Sequence, residues 1–312
     1  MRRLFKAAMA VVMTGLAGTG ALAAETRKVE THDNADYFGF DLRAEKNVSL
    51  EQCETLCLAD NACRAFTYNR AAQWCFLKSD YNRRDRFEGA VAGRIVSAGG
   101  AEDLGAAPDL GFLQRGLYSE AARLKSELAV RPPDEVGLHA TAAAARNALS
   151  AGDGVSATDQ FSRVLTIDPD DAGLWLDLSH AAIRVLSTDN PNDYRLQRTA
   201  TSAALNAYEL SRDAQLRAQA LDLLAKGLDL RQQYRPALEA YKESLALVDS
   251  PRVRADFQQL RSTRGFRVTE HTVDADSASA RLCVEFYDPL LASGIDYASF
   301  VTINGQAADN II

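Results

Sequence analysis

The sequence predicts a multidomain α+β protein, in which a small disulfide-stapled domain precedes an α-helical hairpin region and the first strands of an incomplete β-sandwich. Three observations support this class. Four of the 5 cysteines lie between Cys53 and Cys75. Leucine and alanine recur at helical spacing through residues 109–264. From residue 265 to 312, apolar and polar residues alternate as they do in β-strands.

Residues 1–23 have the composition of a secretory signal. Basic residues precede an apolar run, and the small residues Ala21-Leu22-Ala23 follow it. We expect cleavage after Ala23, with Ala24 as the second choice. The apolar run is too short and too rich in glycine and alanine for a stable membrane helix. The sequence therefore predicts an exported protein, periplasmic or secreted, that is not inserted in a membrane once the signal is removed.

The cysteine-bearing segment combines a helix with two short strands. Ser49 and Gln52 have the spacing of a capping box, which marks a helix start. Cys53 and Cys57 lie four residues apart and so share one face of that helix. Aromatic and β-branched residues then predict strands at Arg64–Tyr68 and Trp74–Leu77. A zinc site is the alternative, but its usual CxxC spacing is absent. Four cysteines allow three disulfide connectivities, and the spacing does not select one.

This segment resembles the PAN/apple family. The likeness is carried by Cys53-x3-Cys57-x5-Cys63-Arg64-Ala65-Phe66-Thr67-Tyr68 and by Trp74-Cys75-Phe76-Leu77-Lys78. The resemblance implies a domain over residues 29–96 in which a helix is pinned to a small antiparallel sheet. It also implies the disulfides Cys53–Cys75 and Cys57–Cys63. Members of the family bind proteins or carbohydrates and have no catalytic residues of their own. We expect the side chains of Phe66, Tyr68 and Trp74 to be mainly structural.

The charge balance bears on the class of partner. The chain of 312 residues has a formal net charge of -7, and loss of the basic signal makes the mature protein more negative. This argues against nucleic acid and against anionic membranes as partners. The basic run at Arg83, Arg84 and Arg86 is brief, and we expect a solvated edge there. Residues 97–108 are small and weakly apolar, which predicts a flexible linker.

The helical region contains segments that resemble tetratricopeptide (TPR) repeats. The residues that carry the likeness are Ala157-x3-Phe161-x3-Leu165-x3-Pro169, Trp175, Leu178 and Tyr234-x2-Ala237-x3-Tyr241-x3-Leu245. Breaks between the predicted helices include Arg131–Asp134 and Asn190–Asn192. The resemblance implies antiparallel helix pairs with a concave protein-binding face. The alternative is a helical spacer, and we expect Trp175, Tyr208, Tyr234 and Tyr241 to belong mainly to its core.

Residues 265–312 are predicted to form a few strands. The clearest are Ala280–Phe286 and Tyr297–Ile303, the second ending at the hairpin dipeptide Asn304-Gly305. So few strands do not close a sandwich, so we expect a truncated β-domain. Cys283 has no partner by count. It is either a buried thiol or the partner of a cysteine beyond the present end of the chain.

The helical region and the final section together resemble the N-terminal part of bacterial α2-macroglobulin-like proteins. The residues that carry this likeness are Tyr234–Leu245, Gly265–Val268, Arg281–Leu290 and Asp296–Val301. The resemblance implies a protease trap and makes proteases candidate partners. The sequence lacks the Cys-x-Glu-Gln motif of the thioester found in that family, so trapping itself is implied for a longer relative.

No catalytic, cofactor-binding or metal-binding residues are predicted. The histidines are scattered, and the usual zinc-protease, nucleophile-elbow and phosphate-loop motifs are absent. We interpret His180 with Asp177 as a helix-surface pair. Asp168, Asp170 and Asp171 lack the spacing of a calcium loop, and we interpret them as a turn between helices.

Three functional hypotheses follow. The first is the N-terminal recognition region of an exported α2-macroglobulin-like protease inhibitor. The second is a stand-alone exported PAN-domain protein that binds protein or carbohydrate. The third, an enzyme, has no candidate site in the sequence.

Overall fold

The protein is described by a computed structural model over residues 26–98, 103–130, 136–188, 192–276, 281–290, 293–303 and 306–307. Several predicted features lie outside these residues: the signal with Ala23 and Ala24, the middle of the linker, the breaks at 131–134 and 190–191, and the turn Asn304-Gly305. Within the described ranges, no helix has the length and apolar character needed to cross a membrane.

Residues 26–98 form the sheet domain, which consists of a five-stranded antiparallel sheet and one helix. Its elements in chain order are β1 (Thr26–Phe38), β2 (Asp41–Lys46), α1 (Leu50–Ala59), β3 (Ala65–Asn69), β4 (Trp74–Lys78) and β5 (Arg83–Ala98). The strand order across the sheet is β1-β5-β3-β4-β2. The two long strands β1 and β5 pair along most of their length and place the termini of the domain side by side.

Helix α1 covers one face of this sheet. The predicted capping box forms: the Ser49 side chain accepts from the Gln52 N–H, and the Gln52 side chain accepts from the Ser49 N–H. Beneath the helix, Phe66 of β3 is fully buried and its ring lies close to β5 at Gly93. A Cβ atom at Gly93 would lie 2.2 Å from the Phe66 ring, so only glycine allows this approach.

Residues 115–264 form the helix array, a succession of helices joined by short connections. Its members are α2 (Arg115–Ala129), α3 (Leu138–Ser150), α4 (Gly154–Ile167), α5 (Ala172–Thr188), α6 (Tyr194–Leu210), α7 (Ala214–Leu230), α8 (Tyr234–Leu247) and α9 (Pro251–Arg264). From α3 onward each helix packs on the next, as expected for helical hairpins. Asp153, Asp193 and Asp213 cap the N-termini of α4, α6 and α7. The predicted TPR-like helical hairpin region is confirmed.

Of the predicted flexible linker, residues 97 and 98 belong to β5, and residues 103–108 are anchored to the helix array. The Leu104 N–H donates to the Arg212 carbonyl at 2.8 Å. The Arg217 guanidinium, itself buried, donates to the Gly105 carbonyl at 2.7 Å, and the Tyr208 hydroxyl donates to the Pro108 carbonyl at 2.8 Å. Residues 103–108 are therefore held in place, because their backbone groups find partners on α6, on α7 and on the connection between them.

The last section contains less sheet than the sequence predicts. Strands β6 (Val268–Asp274) and β7 (Arg281–Phe286) form a two-stranded antiparallel sheet. The predicted strand Tyr297–Ile303 is wrong over its first half, where Tyr297–Phe300 forms a 3-10 helix. The Asp296 carboxylate accepts from the Ala298 N–H and so bends the backbone into this turn. Strands β8 (Thr302–Ile303) and β9 (Gln306–Ala307) form a separate pair, so this section is described as small two-stranded sheets.

Candidate functional site

Two disulfides attach α1 to the sheet. One joins Cys53 to Cys75 of β4, with the Cα atoms 5.6 Å apart. The other joins Cys57 to Cys63, with the Cα atoms 5.2 Å apart. This is the pairing that the PAN/apple resemblance implied. All four cysteines are fully buried, together with Phe66 and neighbouring apolar side chains. The disulfides therefore form the centre of a compact core on the α1 side of the sheet.

The opposite face of the sheet packs against the helix array. The sheet contributes Ala35, Tyr37, Ala65, Tyr81 and Ala92 to the same buried apolar cluster that runs through the helices. The rings of Tyr37 and Tyr81 lie 4.0 Å apart between centroids. Burial raises the pKa of the Tyr81 hydroxyl well above its usual value. The sheet domain and the helix array thus share one core.

A buried ion pair joins the two parts at the centre of this contact. Arg94 of β5 pairs with Asp168, which follows α4, and both side chains are buried. Arg94 also lies 2.9 Å from Glu30 and 3.5 Å from Asp171. Burial acts to lower the pKa of Arg94, but the charges of Asp168 and Asp171 outweigh it and raise that pKa. The guanidinium is therefore a fixed positive charge surrounded by carboxylates.

Asp80 links the sheet domain to the start of α3. Its carboxylate accepts from the backbone N–H groups of His139 and Ala140, at 2.9 and 3.0 Å. Gly137 precedes the helix and offers no side chain for capping, so a residue distant in sequence provides the cap. A Cβ atom at Gly137 would lie 2.3 Å from the Asp80 carboxyl group. The contact therefore requires glycine at this position.

The predicted solvated edge at Arg83, Arg84 and Arg86 is only partly solvated. Arg84 faces the helix array and lies 3.0 Å from Asp170, which also pairs with Lys125 of α2 at 3.0 Å. Strand alternation is the physical reason, because Arg84 points to the same face as its buried partner Tyr37. Arg83, on the opposite face, is half-buried and pairs with Asp85.

Strand β4 carries a pair of aromatic side chains. Trp74 and Phe76 of β4 are half-buried, and their ring centroids lie 6.1 Å apart. The Lys46 ammonium of the edge strand β2 lies 4.3 Å from the Trp74 ring centroid. Half-buried aromatic rings with a cation over one of them can bind sugar rings or apolar side chains.

Asp177 of α5 pairs with a residue of another helix, whereas the sequence predicted a pair with His180. Asp177 pairs with Arg146 of α3 at 2.7 Å, and burial raises the pKa of the Asp177 carboxyl. His180 is exposed on the same helix, and desolvation lowers its pKa. Within the described residues, no three histidine, cysteine or acidic side chains come together as a metal site would require.

A comparison with known protein families found a match for the sheet domain. Its residues 28–96 match the family model described as the PAN domain. Residues 28–96 form a PAN domain. No curated protein matches the chain.

The solved structures that are similar in part to this chain include two of low identity. The N-terminal domain of stress-induced protein-1 (STI-1) from C. elegans is 13% identical, over 40% of this chain and 94% of that chain, with a TM-score of 0.33. The first TPR domain of the human RPAP3 protein is 15% identical, over 46% of this chain and 91% of that chain, with a TM-score of 0.33.

The aromatic residues discussed from the sequence fall into two groups. Phe66 and Tyr68 are buried in the core of the PAN domain, and Trp175, Tyr208 and Tyr241 are buried in the helix array. Trp74 and Tyr234 are only partly buried and lie at the surface of the PAN domain and of the helix array.

Other residues lie where the sequence did not predict them. Cys283 is an exposed free thiol, so the expectation of a buried thiol is wrong. Asp168 and Asp170 lie in the predicted turn but also form the contact with the PAN domain. The only sequence signal for that role was an unusual concentration of carboxylates, with no indication of their basic partners.

Proposed function

We propose that the chain is a non-enzymatic, exported interaction protein whose PAN domain and helix array act as one rigid binding unit for protein or carbohydrate. The observation that carries this proposal is the shared core, which covers one face of the PAN sheet and fixes the orientation of the helices. Surfaces on both parts are therefore presented in a constant geometry. Such a geometry reduces the entropy lost when an extended partner binds.

Export is part of the proposal. Two disulfides are typical of proteins that mature in an oxidising compartment. We propose that residues 1–23 direct export and that cleavage follows Ala23 or Ala24. The mature protein then acts in the periplasm or outside the cell.

The aromatic pair Trp74 and Phe76 is the proposed contact surface of the PAN domain. Both rings belong to β4, which pairs with the edge strand β2, and Lys46 of β2 adds a positive charge. These groups suit a sugar ring or an apolar side chain of a partner protein.

A protease-trap context is the second candidate function. It rests on the residues that resemble α2-macroglobulin-like proteins, and one contact favours it. Arg235 of α8 pairs with Asp288 at 3.0 Å, and so two of the segments that carry the resemblance lie together. Proteases would then be the protein partners of this region.

Site-specific photo-crosslinking in the native host tests the proposal. A photoreactive phenylalanine analogue replaces Phe76 in the PAN domain or Gln259 on α9, and Glu127 on α2 serves as an exposed control. We expect discrete adducts at Phe76 or Gln259 and none at Glu127. Equal, diffuse labelling at all three positions, together with no binding to a glycan array, would contradict the proposal.

The mass of the native polypeptide separates the two candidate functions. An antibody against the mature protein detects it in envelope extracts. A species far above 33.9 kDa supports the protease-trap context, whereas a species slightly below that mass supports a stand-alone binding protein.

A further inference from the structure

A cavity of about 540 Å³ opens where α5, α7, α8 and α9 meet. Its polar lining consists chiefly of Lys226, Asp229, Tyr234, Tyr241, Asp256 and Arg264, and Ile183, Leu230 and Leu260 supply apolar walls. Its volume lies in the range of sites that enclose a small ligand or a large side chain. None of the residues that line it takes part in the contact with the PAN domain.

The basic groups of the cavity are already occupied. The Lys226 ammonium lies 3.3 Å from both Asp222 and Asp256. Arg264 lies over the Tyr234 ring, with its guanidinium carbon 4.9 Å from the ring centroid. Lys226 is therefore already paired with carboxylates, and Arg264 is an exposed cation that already contacts the Tyr234 ring.

The acidic group of the cavity, in contrast, is open. The Asp229 carboxylate forms no hydrogen bond or ion pair with any residue that the structure describes, although its backbone carbonyl accepts from Gln232. Burial raises the pKa of this carboxyl, and the charge of Arg264 acts in the opposite direction. A partly desolvated carboxylate without a partner is stabilised by any cation that enters the cavity.

A second polar group faces the cavity without a partner. Tyr241 is 4% exposed, and its hydroxyl forms no hydrogen bond among the described residues. Burial is the main cause that raises its pKa, and the charges of Asp222 and Asp256 act in the same direction. The hydroxyl gains a hydrogen bond when a donor enters the cavity, and the ring of Tyr241 offers a face to a cation.

We propose that this cavity binds a basic side chain, arginine or lysine, from an extended segment of a partner protein. The Asp229 carboxylate receives the charged end, and the Tyr241 hydroxyl accepts one N–H. The rings of Tyr234 and Tyr241 and the apolar walls cover the aliphatic stem, which such side chains bury readily. The inference rests on the proposed interaction function and specifies that the partner protein contributes a basic side chain.

An NMR titration of the oxidised mature chain tests this inference. The probes are acetylated, amidated nonapeptides of glycine and serine with one central residue: arginine, lysine, citrulline or glutamate. Citrulline keeps the shape of arginine and removes its charge. We expect the arginine and lysine peptides to shift the backbone amides of Asp229, Leu230 and Gln259, and the citrulline and glutamate peptides to bind at least about tenfold more weakly.

Two matched variants provide the control. Asp229→Asn keeps the size of the side chain and is expected to weaken the arginine peptide about tenfold without loss of folding, since it removes a desolvated charge. Asp159→Asn removes an exposed acid of α4 that pairs with Arg163, and it should leave the affinity unchanged. Tyr241→Phe should reduce the affinity by a smaller factor.

Several outcomes would overturn the inference. These are equal shifts with arginine and citrulline, tighter binding of the glutamate peptide, unchanged affinity in Asp229→Asn, or no shifts at about 5 mM arginine peptide. Adducts at Phe76 in the photo-crosslinking experiment would still support the proposed interaction function in that case. Failure of the cavity and failure of the function are therefore distinguishable.

Discussion

At the scale of single residues, Gly93 determines how closely the core of the PAN domain packs. Gly93→Ala places a methyl group 2.2 Å from the fully buried Phe66 ring, so the ring or the strand must move. We expect a loss of about 1–3 kcal/mol in the free energy of unfolding, measured with denaturant. Gly111→Ala is the control, because nothing lies within 4 Å of its new Cβ, and it should change stability by less than about 0.5 kcal/mol.

The buried Arg94–Asp168 pair allows a second prediction about stability. Arg94→Ala leaves the Asp168 carboxylate buried without its partner, and we expect a loss of about 3–5 kcal/mol in unfolding free energy. The double variant Arg94→Met with Asp168→Leu should recover most of that loss. The exposed pair of Arg123 and Glu127 provides a comparison, where Arg123→Ala should cost less than about 1 kcal/mol. Equal effects of Arg94→Ala and Arg123→Ala would contradict a buried role.

Residues that act locally were predictable from the sequence, and those that act at a distance were not. Ser49 and Gln52 lie three positions apart, so spacing alone revealed their capping box. Arg94 and Asp168 are 74 positions apart, and the sequence around either residue does not indicate that the two form a pair. The open carboxylate of Asp229 was likewise missed, because an acidic residue near a helix end is ordinary in sequence. Only the packing of four helices makes it part of a cavity.

At the scale of elements, α3 depends on a residue outside its own segment. Asp80→Ala removes the carboxylate that accepts from the His139 and Ala140 amides, and we expect a loss of about 1–2 kcal/mol in stability. The same change should speed proteolytic cleavage between the PAN domain and α3. Asp213→Ala is the control, because Asp213 directly precedes the helix that it caps, α7. This change should lower stability without faster cleavage between the PAN domain and α3. If cleavage rates rise equally in both variants, Asp80 does not join the two parts.

Sequence periodicity predicted most of the helical region, because leucine and alanine recur at helical spacing and several of the connections contain proline or glycine. The final section was predicted less well. Tyr297–Ile303 has the composition of a strand, but the cap by Asp296 turns its first half into a 3-10 helix. Residues 103–108 have the composition of a linker, but their backbone groups bind α6 and α7. The amino-acid composition of a segment does not predict such backbone contacts.

At the scale of the whole molecule, two histidines make the contact between the parts sensitive to acid. Burial lowers the pKa of His32 and His139 below the ordinary value of 6.5. His32 faces Arg84, Arg94, Asp168 and Asp170, and its Nε2 lies 3.3 Å from Arg84. A group with a lowered pKa binds fewer protons in the folded state, so stability falls as pH drops below about 6.5.

Melting temperatures between about pH 7.5 and 5.5 measure this dependence, in a range where most carboxyl groups stay ionised. We expect the melting temperature to decrease with acid in the unmodified protein. The decrease should be smaller in the double variant His32→Gln with His139→Gln. His180→Gln, on α5 and outside the contact, shows how much of the slope arises elsewhere. A slope unchanged in the double variant would contradict the assignment.

The shared core also predicts how the molecule unfolds. Because Tyr37, Tyr81 and the helices bury one another, the PAN domain and the helix array should unfold in one calorimetric transition. Residues 26–98 expressed alone should melt at a lower temperature than the same residues in the full chain, because the sheet face that packs against the helices is then exposed to solvent. Two separate transitions in the full chain would show instead that the parts are independent.

The covered sheet face has a consequence for immunology and for engineering. A PAN domain cut out at its family boundaries presents Tyr37, Tyr81 and Arg94 to the solvent, although the intact protein never displays them together. Antisera raised against the excised domain will include antibodies against an epitope that the native molecule conceals. Reagents for the native protein therefore need an immunogen that retains the helices, and a transplanted domain needs polar replacements on that face.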